Sequence, residues 1–400
     1  MSKSMKNLST VSVLLYYFAL KPLYLSGGGA LQIADLLLVL TIGMYIIKKK
    51  GVFSEVPENG RIIYLFFAVI MYQIMVNIIW SGITGDMSMN FKSLYYVFNF
   101  MAFSFCISLS EKCELNYIKK KIAIGCFFSV FVVTIGILFF DKGEQRATGF
   151  FDNPNQLGYF AVITITVCTL CKEQLKKYQK ILIVAFSVWA TIISLSKAAI
   201  ISLFGFAIIN ILFSTDNSKN KVPLFRIGLI IALAFFIYLL FFANYNFLGS
   251  ISIIQTMRHR IFNMMNESDS NLGNGRGYAR IFEIGINIFW GAGEGAYDRF
   301  VAKHGGEVHS TFVSLLTCYG VIGFIGYINI FFRCLCNRVN FKRNIVLMSG
   351  LFLYAITHNG IRNTLLWIIL AILYLENKLA ITCDKEDNEV ACPPKALSVN

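Results

Sequence analysis

Long apolar runs recur along the whole chain, and no other feature limits its fold more. Each run holds about 15–22 residues, near the ~20 that an α-helix needs to cross a bilayer. None alternates polar and apolar residues with period two, as membrane β-strands do. The sequence therefore predicts an all-α integral membrane protein with about twelve transmembrane helices. We place the spans near residues 9–25, 31–48, 61–81, 91–110, 121–140, 156–171, 179–195, 198–214, 224–244, 311–332, 344–358 and 363–378.

Composition and charge exclude a soluble protein and a nucleic-acid partner. Charged residues make up 14% of the chain, whereas soluble domains carry roughly 25%. The net charge is +14, but the basic residues collect in every second predicted loop, which is the pattern of cytoplasmic loops. The two ends and these loops are therefore predicted to be cytoplasmic. Their basic residues are Lys48, Lys49, Lys50, Arg61, Lys112, Lys119, Lys120, Lys121, Lys172, Lys176, Lys177, Lys180, Lys219, Lys221, Arg226, Arg333, Arg338, Lys342 and Arg343.

One long polar stretch, residues 245–309, separates the ninth and tenth predicted helices. The charge alternation places it outside the cytoplasm, as one large periplasmic loop. We predict a membrane domain over residues 1–378, which includes this loop, and a polar cytoplasmic tail over 379–400. None of the ten cysteines falls in a predicted outer loop, so no disulfide framework is expected.

The loop contains a predicted helix, 276–289, that brings two arginines together. Arg276, Arg280 and Glu283 would share one face of it. They are either a solvated surface with an Arg280–Glu283 pair or a clamp for phosphate, since guanidinium presents a fork of donors that matches phosphate oxygens. Residues 291–295 (Gly-Ala-Gly-Glu-Gly) are interpreted as a backbone turn that returns the chain to the membrane.

Other ionisable residues occur at the same predicted level. Arg146, Lys197 and Arg362 lie at outer helix ends, where costly ionisable groups tend to mark substrate paths. His309 ends the loop and is either a polar helix-start residue, capped by Ser310 or Thr311, or a base that works near neutral pH. His358 is the second candidate for that base. The four histidines lack metal-ligand spacing, so neither a metal site nor a cofactor is predicted.

Five segments, in this order, resemble the motifs of the O-antigen polymerase and O-antigen ligase superfamily. They begin with 146–158 (Arg-Ala-Thr-Gly-Phe-Phe-Asp-Asn-Pro-Asn-Gln-Leu-Gly) and 194–197 (Ser-Leu-Ser-Lys). Gly275-Arg276 with Arg280 follows, then 290–295 (Trp-Gly-Ala-Gly-Glu-Gly), then His309-Ser310 ahead of 319–323 (Tyr-Gly-Val-Ile-Gly). The resemblance covers roughly residues 140–330, and the hydropathy of the whole chain is compatible with it.

The resemblance implies glycan transfer from an undecaprenyl-diphosphate carrier at the outer face of the bacterial inner membrane. It implies that Arg146, and Arg276 or Arg280, hold the diphosphate and that His309 activates the acceptor. Asn153 and Asn155 of the first motif are secondary candidates, as are His358 and Arg362. Lys197 stands where the family commonly has arginine, so it keeps the charge but lacks the fork.

The function expected from the resemblance is metal-independent polymerisation of lipid-linked repeat units into O-antigen, capsular or exopolysaccharide, with inversion at the transferred sugar. Two alternatives stay open: ligation of the finished glycan to lipid A core, and a flippase or exporter without chemistry. The expected partners are the lipid-linked oligosaccharide as donor and acceptor, the lipid bilayer, and a chain-length regulator protein. No nucleic-acid partner is expected.

Overall fold

The computed structural model describes residues 3–24, 32–49, 57–141, 146–213, 277–295, 308–337 and 340–390. This part of the chain forms helices and no β-strand, apart from an isolated bridge between Tyr24 and Gln32. Its helices are α1 (Lys3–Leu20), α2 (Ile33–Lys49), α3 (Pro57–Thr84), α4 (Ser88–Ser110), α5 (Leu115–Phe140), α6 (Pro154–Leu170), α7 (Lys177–Ser194), α8 (Lys197–Phe213), α9 (Arg280–Glu283), α10 (Asn287–Trp290), α11 (Thr311–Leu335), α12 (Phe341–Thr357) and α13 (Thr364–Val390).

The helices coincide with the apolar runs. Each predicted span matches one of α1–α8 or α11–α13, except 224–244, which lies outside the described residues. Within the described residues, five helices are long and apolar enough to cross a membrane: α3, α4, α5, α11 and α13. The other long helices have 17 or 18 residues, which is about 26 Å of helix against a hydrocarbon core of ~30 Å. The all-α class is confirmed, and the full count of twelve spans stays a prediction.

The helices pack as a bundle around a core rich in aromatic residues. Helix α1 lies against α5, α12 against α8, α6 against α7, and α4 against both α3 and α13. Trp367 is fully buried and stacks on Phe331, with Phe66 at 4.5 Å between ring centroids. Large apolar side chains on the outside of the bundle, such as Ile78 and Leu138, are exposed. Such an apolar outer surface suits contact with lipid.

Contacts between helix ends define two ends of the bundle. Arg146, after α5, contacts the last residue of α7, and Tyr354 near the end of α12 contacts Asn155 at the start of α6. The segment 277–295 lies at this same end, which we call the loop end. At the other end, Glu376 of α13 accepts from Lys119 at 2.5 Å and also from Arg343. The described members of the predicted cytoplasmic lysines and arginines lie toward this end, so we call it the basic end.

One helix predicted from the sequence needs correction. The single helix predicted over 276–289 is wrong in its described part, because the chain forms two short helices, α9 and α10, with Gly285 between them. Gly285 has φ +56°, a left-handed conformation that ends a helix and that glycine adopts without steric cost. Helix α13 continues past residue 379 to Val390, and the boundary between the membrane domain and the cytoplasmic tail stays a prediction.

Candidate functional site

Arg146 fixes the segment before α6 to the turn between α7 and α8. Its Nε donates to the backbone carbonyl of Ser194 at 3.0 Å, and its Nη2 donates to the Asn155 side chain at 3.1 Å. Leu195 has φ +49° and turns the chain from α7 into α8. Lys197 is the first residue of α8 and is half-buried at this junction. Arg146 and Lys197 therefore both lie where the start of α6, the end of α7 and the start of α8 meet.

The start of α6 is shaped by the motif that sequence analysis singled out. The Asn153 side chain accepts from the backbone N–H of Gln156 at 3.0 Å, and Pro154 is the first helical residue, a standard arrangement for an N-cap. A Cβ on Gly158 would lie 2.7 Å from that of Ala199, so glycine permits close packing of α6 on α8. Asn153 thus caps the helix, whereas Asn155 contacts a predicted site residue.

A series of contacts runs from Arg146 to the two histidines. The backbone carbonyl of Asn155 accepts from the Tyr354 hydroxyl at 2.9 Å. The Tyr354 ring lies 4.9 Å from that of His358, and the His358 ring lies 6.1 Å from that of His309, measured between centroids. Residues far apart in sequence therefore meet at one place on the loop end.

His309 is exposed immediately before α11. Ser310 caps that helix by accepting from the backbone N–H of Val313 at 3.4 Å. The Thr311 hydroxyl donates to the carbonyl of His358 at 3.1 Å and accepts from the N–H of Gly360 at 2.9 Å. Of the two capping candidates, Ser310 therefore caps α11.

Arg280 lies at the same end but in a different environment from Glu283. Arg280 is 7% exposed, whereas Glu283 is exposed, so a shared solvated face does not describe them. A Cβ on Gly277 would lie 3.2 Å from the guanidinium carbon of Arg280. Tyr278 donates to the carbonyl of Ile356, close to His358. Arg276 lies outside the described residues.

The turn 291–295 packs against a break in α11. Gly320 has φ +64° and ψ −173° inside that helix. The carbonyls of Thr317 and Cys318 instead accept from the backbone N–H groups of Ala292 and Gly293, at 3.0 and 2.8 Å. Inside a bilayer such backbone groups must be paired within the protein. The turn therefore satisfies the carbonyls that the break leaves available.

Glu294, at the tip of this turn, is a buried carboxylate that sequence reasoning missed as a site residue. Its Oε1 accepts from the hydroxyls of Tyr96 at 2.7 Å and Tyr319 at 2.8 Å, and its Oε2 accepts from Arg362 Nη2 at 2.6 Å. The Asn77 side chain accepts from its backbone N–H. The sequence showed only an acidic residue among glycines, which indicates a turn and not a carboxylate site.

The partners of Glu294 keep it ionised. Burial by itself raises the pKa of a carboxyl, but Arg362 and the two tyrosine hydroxyls outweigh burial, so the pKa of Glu294 lies below its ordinary value. Both of its oxygens already accept hydrogen bonds. Glu294 is therefore a fixed counter-ion and not a base.

The loop end thus combines cations with two imidazoles, of which one is exposed and one is half-buried. It carries Arg146, Lys197, Arg280 and Arg362 together with His309 and His358. Across the described ranges, no group of three or more His, Cys, Asp or Glu side chains is placed to hold a metal ion. Such a set of residues can bind an anion and accept a proton. No protein-family model matches the chain, and no curated protein matches it.

Proposed function

We propose that this protein is a membrane glycosyltransferase that polymerises undecaprenyl-diphosphate-linked repeat units. The observation that carries the proposal is the series of contacts from Arg146 through Asn155, Tyr354 and His358 to His309. It joins a guanidinium, which can bind a phosphate group, to an imidazole, which can accept a proton from a hydroxyl. The motif resemblance over residues 140–330 supplies the substrate class.

In the proposed reaction, an acceptor hydroxyl attacks the anomeric carbon of the donor sugar. The bond from that carbon to the diphosphate oxygen breaks, its electron pair stays on the diphosphate, and the hydroxyl proton passes to His309. Attack from the face opposite the leaving group inverts the anomeric centre. Arg146 and Arg280, with Lys197 and Arg362, stabilise the charge that grows on the diphosphate, as fixed donors do for developing oxyanions.

The proposed function includes an orientation of the bundle in the membrane. The loop end faces the periplasm and the basic end faces the cytoplasm, since basic residues favour the cytoplasmic side. With twelve spans, both termini are cytoplasmic and the protein lies in the bacterial inner membrane. The polyprenyl tail of the donor stays in the lipid beside the bundle, which restricts how its diphosphate approaches and so aids positioning.

The decisive experiment supplies purified protein with lipid-linked repeat units only. A polymerase makes a ladder of longer lipid-linked glycans, survives EDTA, and loses roughly 10²-fold or more of its rate with Arg146→Ala, the size of loss typical for a transition-state donor. Arg333→Ala, an exposed arginine near the basic end, serves as the matched control and keeps wild-type activity.

Three outcomes contradict the proposal. Transfer only after lipid A core is supplied identifies a ligase. Movement of intact lipid-linked units across a membrane, with no longer product, identifies a flippase. Loss of the ladder on chelation, with recovery on adding magnesium, shows that the arginines do not replace a cation.

A further inference from the structure

Glu294 and Arg362 form an ion pair with one buried and one partly exposed partner. The Glu294 side chain is 1% exposed and that of Arg362 is 25% exposed, with 2.6 Å between Oε2 and Nη2. The carboxylate therefore holds the guanidinium from the protein side, while part of the arginine faces outward at the loop end. A guanidinium has five N–H donors in a fixed plane, so a contact at one edge sets the direction of the others.

The carboxylate itself is rigidly held. Tyr96 of α4 and Tyr319 of α11 both donate to Oε1, and these two rings meet edge to face at 5.7 Å. The Glu294 backbone is tied to Asn77 of α3 at 2.9 Å. Trp80, one turn further along α3, donates to the carbonyl of Gly291 at 3.0 Å. Helices α4 and α11 thus fix one carboxylate oxygen, α3 fixes the backbone of the turn, and the other oxygen, Oε2, accepts from Arg362.

We propose that Glu294 is a positioning residue that holds the Arg362 guanidinium toward the diphosphate of the lipid-linked donor. This inference rests on the proposed function, and it ranks Arg362, with Arg146, among the groups that contact the diphosphate. Pre-set orientation matters because a donor held in place costs no reorganisation when charge develops on the leaving group. A long arginine side chain without such an anchor would have to be ordered at each turnover.

The geometry offers a substitution that separates the two contacts of the carboxylate. In Glu294→Gln, the amide oxygen can still accept from Tyr96 and Tyr319, but the amide nitrogen is then directed at Arg362. Two donors face each other there, so the contact with Arg362 is lost while the shape of the site is kept. The matched control is Glu283→Gln, an exposed glutamate of the same loop.

The test is a double-mutant cycle on purified protein with Glu294→Gln, Arg362→Gln and both together. We measure turnover of lipid-linked repeat units, and separately the rise in melting temperature that inorganic pyrophosphate produces. Each single variant should lose on the order of 10²-fold in kcat, in line with the loss of one transition-state donor, and most of the pyrophosphate effect. The double variant should be no slower than Arg362→Gln, because a residue that acts only through Arg362 has nothing left to do.

Losses that multiply in the double variant would overturn the inference, as would a wild-type response of Glu294→Gln in both measurements. If Glu294→Gln does not fold, Glu294→Asp is measured in its place. Aspartate keeps the negative charge, but its side chain is one methylene shorter, so the carboxylate lies farther from Arg362. This variant should retain pyrophosphate binding with a lowered kcat, and wild-type kcat would overturn the inference. If pyrophosphate binding depends on Glu294 and Arg362 but no ladder is made, the proposed polymerase activity is refuted, whereas the positioning of Arg362 by Glu294 is not.

Discussion

His309 and Glu294 are the two titratable residues whose protonation matters most for the proposed reaction, and they differ in environment. His309 is exposed and precedes a helix that Ser310 caps. Glu294 is buried, and its partners hold its pKa below the ordinary value near 4.5. A lowered carboxyl pKa stabilises the folded protein above the ordinary value, and that stability is lost only as pH falls through the lowered one. Between pH 5.5 and 8, Glu294 therefore stays ionised.

We predict that His309→Gln abolishes turnover while the melting temperature stays near that of the wild type. Glutamine cannot take up the proton that the acceptor hydroxyl gives off, and His309 is exposed, so its replacement removes little packing. The measurements are the rate of ladder formation and the melting temperature.

A comparison of Glu294→Gln with the wild type tests the ionisation of Glu294. The difference between their melting temperatures should stay constant from pH 8 to 5.5, because the pKa of Glu294 lies below this range. A difference that changes over this range would contradict the lowered pKa of Glu294.

Residue type and position along the chain were enough to single out Arg146, Arg280 and His309 as candidates. They were not enough for Glu294 or Tyr354. Glu294 accepts hydrogen bonds from residues 198 and 68 positions away, Tyr96 and Arg362. Tyr354 lies in an apolar run, where a tyrosine is most simply interpreted as core. Contacts between residues so far apart in sequence depend on how the helices pack, and no local sequence pattern predicts them.

The break in α11 is the element on which the placement of Glu294 depends. A Cβ on Gly320 would lie 2.5 Å from the Gly291 nitrogen and 2.5 Å from the Phe289 carbonyl oxygen, and the residue has φ +64°. Both obstacles are backbone atoms, which cannot rotate away as a side chain can. Only glycine allows α10 and the turn 291–295 to approach α11 so closely.

We predict that Gly320→Ala lowers the free energy of unfolding by about 2 kcal/mol or more, because it combines a strained conformation with overpacking. It should also lower turnover, since the turn moves and Glu294 moves with it. Thermal unfolding in detergent measures the first effect and ladder formation the second.

Gly82→Ala is the matched control, because a Cβ there meets nothing within 4 Å and Gly82 lies in helix α3. It should be neutral or slightly stabilising. Equal stability of Gly320→Ala and Gly82→Ala would mean that the break in α11 does not anchor the turn.

Apolar runs predicted the long helices because a helix is the simplest way to pair backbone groups in a membrane. They could not show the break at Gly320, which lies within the uninterrupted run 311–332 and is visible only through its partners in 291–293. The single helix predicted over 276–289 was wrong because Gly285 divides it in two. Ile284 and Ile288 nevertheless pack with Ala292, so the apolar residues of this segment do face the protein.

At the scale of the whole molecule, the two ends differ in what their charges do. At the basic end, Glu376 joins Lys119 of α5 and Arg343 of α12 to α13, and Asn344 and Asn377 bond to each other at 2.9 Å. These contacts join helices to one another. At the loop end, Glu294 and Asn155 each accept a hydrogen bond from an arginine of the candidate site. The proposed reaction requires that the membrane separate this end from the basic end.

We predict that the loop end and the basic end lie on opposite sides of the membrane. The test starts from a variant in which Cys113, Cys336, Cys383 and Cys392 are replaced by serine. Of the eight cysteines whose side chains the structure describes, all but Cys113 and Cys336 are buried. Single cysteines are then placed at Glu283, exposed at the loop end, and at Lys120, exposed at the basic end. A membrane-impermeant maleimide applied to intact cells with a permeabilised outer membrane should label the cysteine at 283 and not the one at 120.

Lysis of the same cells should expose both cysteines, which checks that the one at 120 is reactive. The expected asymmetry follows from the basic residues, which favour the cytoplasmic side. Labelling of the cysteine at 120 but not at 283 in intact cells would place the arginines and His309 in the cytoplasm. A lipid-linked donor polymerised at the periplasmic face could not reach them there, so the proposed reaction would be refuted together with the orientation.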